Sequence, residues 1–86
     1  MICSLEISMY PLKNEYKPAI IQFIKNLRTY DEITVKTNGM STQIFGEYQI
    51  IMNAINIEIE SSFKQNKSIV FNMKLINSEL EEIPQF

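Results

Sequence analysis

The spacing of hydrophobic and polar residues changes several times along the chain and divides it into short elements. Residues 2–12 alternate, with apolar residues at odd positions as far as Met9 and mainly polar residues between them. A period of two predicts a β-strand with one buried face and one polar face. Pro11 cannot donate a ladder hydrogen bond, so we expect this strand to end close to it.

The next segment, residues 14–30, has the period of a helix. Its apolar residues recur at steps of three and four and form one stripe: Tyr16, Ala19, Ile20, Phe23, Ile24, Leu27 and Tyr30. Asn14 is a suitable cap, and Pro18 is tolerated only within the first turn. We therefore expect the helix to start between Asn14 and Lys17.

Two further strands follow, joined by a tight turn. Ile33 and Val35 alternate with polar residues and predict the second strand. Asn38-Gly39 is typical of two-residue hairpin turns, because both residues accept positive φ. Met40–Phe45 is then the third strand, antiparallel to the second, and Gly46 closes it. The pattern leaves open which alternate residues of the third strand face the core.

A second helix is expected from Glu47 to about Lys64. Its main apolar stripe consists of Tyr48, Ile51, Met52, Ile55, Ile59 and Phe63. Three more apolar residues, Ile50, Ala54 and Ile57, lie on nearly the opposite side of the helix. These three either contact another subunit or are scattered surface residues.

Residues 69–76 alternate again and predict a fourth strand. The resulting order, β-α-β-β-α-β, is that of the α+β ferredoxin-like fold. We therefore expect a single domain over residues 1–86, with a four-stranded antiparallel sheet and two helices on one face of it. Residues 77–86 form an acidic C-terminal tail that is either a frayed end or an arm packed on a neighbouring chain.

The predicted sheet has a buried face and an open face. The residues expected in the core are Cys3, Leu5, Ile7, Met9, Ile33, Val35, Ile69, Phe71, Met73 and Leu75. The open face mixes hydroxyls, amides, one carboxylate and aromatics: Ser4, Glu6, Ser8, Tyr10, Thr34, Lys36, Asn72 and Lys74. Ser41, Gln43 and Phe45 join it if Met40, Thr42 and Ile44 point inward. This face is exposed to water, covered by a symmetry-related copy, or a binding surface for a small polar aromatic molecule.

The candidate ligand-binding residues lie on the open face and around the hairpin. They are Glu6, Ser8, Tyr10, Asn38, Ser41, Thr42, Gln43, Phe45 and Asn72. Glu6 can attract a cation or accept a hydrogen bond from an amine. Tyr10 or Phe45 can stack on a ring or meet a cation, and the hydroxyl and amide side chains can bond ring nitrogens.

Composition narrows the possible functions. The 86 residues carry a net charge of −2, with 8 basic and 10 acidic residues, which argues against binding to nucleic-acid phosphates. The sequence has no histidine and one cysteine, Cys3, which argues against a metal site and an internal disulfide and predicts a buried thiol. Nothing pairs Glu6, Glu47 or the lysines with a nucleophile, so we do not expect an enzyme.

The same composition bears on assembly and location. Hydrophobic residues make up 45% of the chain, enough to fill a small core and leave apolar surface for partner subunits, so we expect a homo-oligomer. The N-terminus lacks the pattern of a leader segment, and no stretch is long and apolar enough to span a membrane. We therefore expect a soluble cytoplasmic protein.

Three segments carry a resemblance to a known family. Glu6–Leu12 is similar to an opening strand that runs through a serine and ends at a proline. Met40–Glu47 is similar to a Met-Ser-Thr or Met-Gly-Thr segment that leads to a glycine–acid pair, and the helix Tyr48–Phe63 follows at matching spacing. With these features in this order, the chain resembles the YkoF-like family of small thiamine- and hydroxymethylpyrimidine-binding proteins.

The resemblance implies a ferredoxin-like domain that assembles through its sheets, commonly as a homotetramer. It also implies binding of thiamine or its hydroxymethylpyrimidine moiety, with no reaction and no cofactor. One position departs from the family, because one branch has a glutamate before the glycine where this chain has Phe45. Glu6 or Glu47 would have to replace that acid, or Phe45 stacks on the ligand instead. The alternative function is a ligand-free protein-interaction or regulatory module of the same fold.

Overall fold

A computed structural model describes residues 1–85, so the last residue of the predicted tail, Phe86, lies outside the described part. The elements are β1 (Ile2–Pro11), α1 (Lys17–Leu27), β2 (Thr34–Thr37), β3 (Thr42–Glu47), α2 (Tyr48–Gln65) and β4 (Ile69–Ile76). Their order confirms the predicted β-α-β-β-α-β arrangement.

The four strands form one antiparallel sheet in the order β2-β3-β1-β4. β1 is a central strand, and its residue Leu5 lies opposite Ile44 of β3 on one side and Leu75 of β4 on the other. This order and the two helices confirm the ferredoxin-like fold. β2 and β4 are the edges of the sheet.

The core lies between the odd-numbered residues of β1 and the two helices. Its buried residues are Cys3, Leu5, Ile7, Met9, Phe23, Leu27, Ile33, Ile44, Ile51, Ala54 and Ile55. The prediction was wrong for Met73 and Leu75, which are 45% and 46% exposed. Both belong to the edge strand β4, at a part of the sheet that the helices leave uncovered.

Helix α2 is buried along a stripe that differs from the predicted one: Ile51, Ala54, Ile55, Glu58 and Ser62. Ala54 is 1% exposed, so the subunit-contact and scattered-surface interpretations were both wrong for this residue, and Ile50 is partly buried against the core. The reason is that α2 packs against α1 as well as against the sheet. At the α1 side, the Tyr30 hydroxyl donates to Glu58 Oε2 at 2.7 Å. Ile57 is exposed, as a surface residue would be.

The two helix starts are built differently. Tyr16 precedes α1 without a side-chain cap, so Asn14 is not the cap that we predicted, and Pro18 lies within the first turn as expected. At α2 the Glu47 carboxylate accepts from Gln49 N–H at 2.8 Å and caps the helix. This bond to Gln49, helped by the N-terminal amine at 3.4 Å, lowers the pKa of Glu47. The Glu47 carboxylate is thus bonded to the backbone at the start of α2.

Over residues 1–85, neither helix has the length and apolarity required to cross a membrane.

Candidate functional site

In the third strand, Thr42 and every second residue after it face the helices. Thr42 and Ile44 are buried on the helix side of the sheet, whereas Gln43 and Phe45 lie on the opposite face. Met40 does not share this phase, because it precedes β3 and is 86% exposed. Gly46 lies inside β3 rather than closing it, where an added Cβ would come within 3.1 Å of Ile33 Cγ2.

The hairpin between β2 and β3 differs from the predicted turn. Asn38 N–H donates to Ser41 O at 3.1 Å, which places Gly39 and Met40 at the two central positions instead of Asn38 and Gly39. No residue between 1 and 85 has a positive φ, so the turn is not the type that the Asn-Gly pair predicts.

The Asn38 side chain replaces the missing backbone bond of the turn. Its Oδ1 accepts from Met40 N–H at 2.8 Å and from Ser41 N–H at 3.2 Å. This is an Asx-type interaction, in which the side chain bonds the backbone two residues further on. Asn38 therefore shapes the hairpin, and its amide oxygen is occupied by the hairpin backbone.

A cleft of about 520 Å³ opens between this hairpin, the end of β1 and the start of α1. It exists because β3 pairs with β1 only as far as Ile7, while β1 continues to Pro11. Five of the predicted site residues line it: Ser8, Tyr10, Asn38, Ser41 and Thr42. The rest of its wall is mostly apolar and includes Ile20, Phe23 and Ile24 of α1. We name it the hairpin cleft.

A second hollow of about 400 Å³ lies on the open face of the sheet. Three further predicted residues, Glu6, Gln43 and Phe45, line it together with Lys74 and Leu80. The predicted site is thus divided between two places. A single hydrogen bond joins them, because Ser41 of the hairpin cleft donates from Oγ to Glu6 Oε2 at 2.8 Å.

Glu6 is held as a carboxylate between two partners. Besides the Ser41 hydroxyl, Lys74 Nζ lies 3.1 Å from Glu6 Oε1. The Ser41 hydrogen bond, followed by the hydrogen bond and charge of Lys74, lowers the pKa of Glu6. The side chain is partly exposed, so a cationic ligand would compete with Lys74 for it.

The C-terminal tail folds over the open face of its own sheet, which neither predicted alternative described. The Ser4 hydroxyl donates to Ser78 O at 2.8 Å and accepts from Leu80 N–H at 2.9 Å. Glu81 pairs with Lys36 at 3.5 Å. Under this tail Phe45 is only 7% exposed, so the ring that we predicted as a stacking platform has little free surface.

The one remaining candidate, Asn72, lines neither hollow, and Thr42 of the cleft has a partner on the neighbouring strand. Asn72 is exposed on β4 and lies opposite Ser8 in the ladder. The Thr42 hydroxyl bonds the Thr37 hydroxyl at 2.9 Å, so it is partly committed to the neighbouring strand.

Tyr16, Met40 and Met9 line the hairpin cleft but are not among the predicted site residues. Tyr16 was assigned to the buried stripe of the first helix, although it precedes α1 and is half exposed. Its position before Lys17-Pro18 is the signal that could have found it, because proline is favoured at the very start of a helix, so a start close to Pro18 leaves Tyr16 outside.

Solved structures with the same fold include a hypothetical protein from Methanocaldococcus jannascii, at 22% identity over 94% of this chain and 84% of that one, with a TM-score of 0.79. A protein of Streptococcus pneumoniae is 24% identical over 96% and 93% of the two chains, with a TM-score of 0.84. A Thermotoga maritima protein named "putative thiamine biosynthesis/salvage protein" is 14% identical over 91% and 85%, with a TM-score of 0.81. These similarities show that the fold is shared. No protein-family model and no curated protein matches the sequence.

Proposed function

We propose that this protein binds thiamine or its hydroxymethylpyrimidine moiety in the hairpin cleft, without catalysing a reaction. The observation that carries the proposal is the cleft itself, a cavity of about 520 Å³ with apolar walls and a few converging hydroxyls. Sites for small molecules typically have volumes of ~300–1,000 Å³ and this mixture of lining groups.

The lining of the cleft suits a flat, polar ring. Tyr10 and Tyr16 supply aromatic surface, and both are about half exposed. Ser8 is close to the cleft wall with no side-chain hydrogen bond among residues 1–85, so its hydroxyl is available. Glu6 places a negative charge one hydrogen bond away from the cleft through Ser41, which favours a ligand with a cationic ring.

The similarity of fold to the Thermotoga maritima protein supports the same ligand class, because its name refers to thiamine biosynthesis or salvage. The resemblance of Glu6–Leu12 and Met40–Glu47 to the YkoF-like family points the same way. Residues 7–12 of the first segment and residues 40–42 of the second line the cleft.

Binding without chemistry is supported by the state of the reactive groups. The thiol of Cys3 is buried in the core and therefore poorly placed to act as a nucleophile. The carboxylate nearest the cleft, Glu6, is bonded to Ser41 and Lys74, and its lowered pKa makes it a weak base.

Calorimetric titration with thiamine and with hydroxymethylpyrimidine tests this function. Heat of binding from either compound is the expected result, and the absence of both heat and a thermal shift at millimolar ligand would contradict it. Two matched variants distinguish the hairpin cleft from the open face, where we first expected the ligand. Tyr16→Ala, which changes the cleft alone, should weaken binding, and Gln43→Ala, which changes the open-face hollow alone, should not. The reverse result would assign the ligand to the open face.

We propose further that the protein is a homo-oligomer. The resemblance to the YkoF-like family points to a tetramer. The edge strand β4 supports this, because Val70, Met73, Leu75 and Ile76 are all 44–49% exposed along it. An exposed apolar edge strand invites pairing with another chain. Light scattering should give a mass of four chains, and a mass of one chain would contradict the assembly.

The same edge also favours the second candidate function, a protein-interaction module with no ligand. That function would be preferred if neither compound bound and a different protein co-purified with the chain in a defined ratio.

A further inference from the structure

The direction of the hydrogen bonds along β1 shows which residues face each neighbouring strand. Leu12 N–H donates to Ser68 O, on the β4 side, at 3.0 Å. Tyr48 N–H donates to Met1 O, on the β3 side, at 2.9 Å. Because alternate residues of a strand turn their N–H and C=O groups to opposite neighbours, the even-numbered residues of β1 bond to β4 and the odd-numbered ones to β3.

Met9 is the odd-numbered residue whose partner on the β3 side is missing. The β1–β3 ladder ends at the pair of Ile7 and Thr42, and Met40 would face Met9 two pairs further on, which is the next pair whose backbone groups would bond each other. Met40 N–H instead donates to Asn38 Oδ1, so the hairpin bends away. Among residues 1–85, no hydrogen bond joins the backbone of Met9 to the hairpin, although Met9 is 8% exposed and lines the cleft. An N–H and a C=O that have no protein partner in a residue with so little exposed surface are free to bond a molecule in the cleft.

The unpaired stretch of β1 on the β3 side contains one residue, Met9, with a free N–H and a free C=O. Pro11, the next odd-numbered residue, has no N–H, and its carbonyl already accepts from Lys13 N–H at 3.0 Å. A peptide that adds as a strand needs a row of free N–H and C=O groups, so the edge is too short for a peptide. It offers one donor and one acceptor side by side, pointing into the cleft.

Resting on the proposed function, we infer that the backbone of Met9 recognises the ligand. Its N–H donates to a ring nitrogen, and its C=O accepts from an exocyclic amine on the adjacent ring carbon. The ligand class is therefore a planar nitrogen heterocycle with an amine beside a ring nitrogen, of which an aminopyrimidine is the simplest example. A ring that lacks the amine would leave the Met9 carbonyl buried and unpaired, so it should be rejected.

Labelling with ¹⁵N-methionine gives a direct measurement. Of the five methionines, Met1 has no peptide N–H, which leaves the amides of Met9, Met40, Met52 and Met73. The protein is titrated with hydroxymethylpyrimidine and with an analogue in which a methyl group replaces the exocyclic amine. Met40 reports any occupant of the cleft, and Met73 on β4, outside it, is the matched control.

We expect the amine compound to move the Met9 amide proton downfield and to slow its exchange with solvent. The methyl analogue should bind about 5- to 150-fold more weakly, as expected for a lost hydrogen bond with a buried acceptor left unpaired. If Met40 responds, Met9 does not, and both compounds bind equally, the role of Met9 is overturned while ligand binding stands. If no signal moves and neither compound gives heat, the proposed function fails and this inference fails with it.

A measurement on the free protein tests the geometry without any ligand. The Met9 amide should exchange with solvent faster than the Ile7 amide, which belongs to the β1–β3 ladder. Equal protection of the two amides would show that Met9 already has a partner, and the inference would be withdrawn.

Discussion

Replacing Ser4 with alanine should release the C-terminal tail while leaving the domain folded. The Ser4 hydroxyl makes two hydrogen bonds to the tail, to Ser78 O at 2.8 Å and from Leu80 N–H at 2.9 Å. At ~0.5–1.5 kcal/mol for each bond, the substitution removes about 1–3 kcal/mol from tail closure. The remaining polar contact, between Lys36 and Glu81, is largely exposed and contributes only about 0–1 kcal/mol.

Hydrogen exchange of the Leu80 amide measures the tail directly, because this amide is protected only while its bond to Ser4 is formed. The loss of closure energy predicts an exchange rate that rises about 5- to 150-fold in Ser4→Ala. Ser8→Ala is the matched control, since it removes a hydroxyl from the same face of β1 at a position without tail contacts. An unchanged Leu80 rate in Ser4→Ala would refute the reasoning and would mean that apolar contacts of Leu80 hold the tail.

Three further predictions concern a core residue, the cap of α2 and the charge of Glu6. Ile51→Ala should lower the free energy of unfolding in urea by about 2–5 kcal/mol, because Ile51 is fully buried, whereas the exposed Ile57→Ala should change it by less than about 0.5 kcal/mol. Equal effects would contradict the assigned packing of α2. Glu47→Ala should lower the free energy of unfolding by removing the cap of α2, and Glu60→Ala, on the exposed side of the same helix, should lower it less. Acidification should remove the contribution of Glu6 to the free energy of unfolding. Its pKa is lowered in the folded protein, so the carboxylate stabilises the fold fully above the ordinary pKa of 4.5. This stabilisation is lost as the pH falls through the lowered pKa. Glu6→Gln should flatten that part of the stability curve, and an unchanged curve would show that Ser41 and Lys74 do not favour the charged form.

The architecture could be predicted because each element has an uninterrupted period. The alternation of residues 69–76 predicts β4 with the bounds Ile69–Ile76 that the structure shows. The change to steps of three and four places both helices, with errors only at the ends of α1. A period reports which residues share a face, and in a small domain with six elements that information is enough to choose the fold.

The errors fall where the burial of a residue depends on a neighbouring element rather than on its own strand or helix. Met73 alternates correctly yet is exposed, because β4 is an edge strand and the helices cover it at Phe71 but not as fully at Met73. Ala54 lies off the main apolar stripe yet is buried, because α1 packs beside α2. No pattern within one segment carries this information.

The sequence pattern did not predict that the candidate residues are divided between two hollows, and the cause lies in the turn. Asn38-Gly39 was expected to form the turn itself, which would have allowed Met40 to extend the ladder toward Met9. The Asn38 side chain binds Met40 N–H instead and removes that residue from the strand. The positions of polar residues could be read from the sequence, but whether a side chain bonds a ligand or its own backbone depends on the local turn.

The hairpin cleft is a consequence of unequal strand lengths. β1 has 10 residues and β3 has 6, and because their ladder starts at Ile2, the surplus of β1 is left at its other end. β4 pairs with β1 along that surplus through Pro11, so the strand stays extended there with one side free. A backbone edge that is supported on one side and open on the other would suit the flat ligand that we propose. The short third strand, the Asx turn at Asn38 and the free edge at Met9 are therefore parts of one arrangement, and lengthening β3 by two pairs, as far as Met40 opposite Met9, would close the cleft.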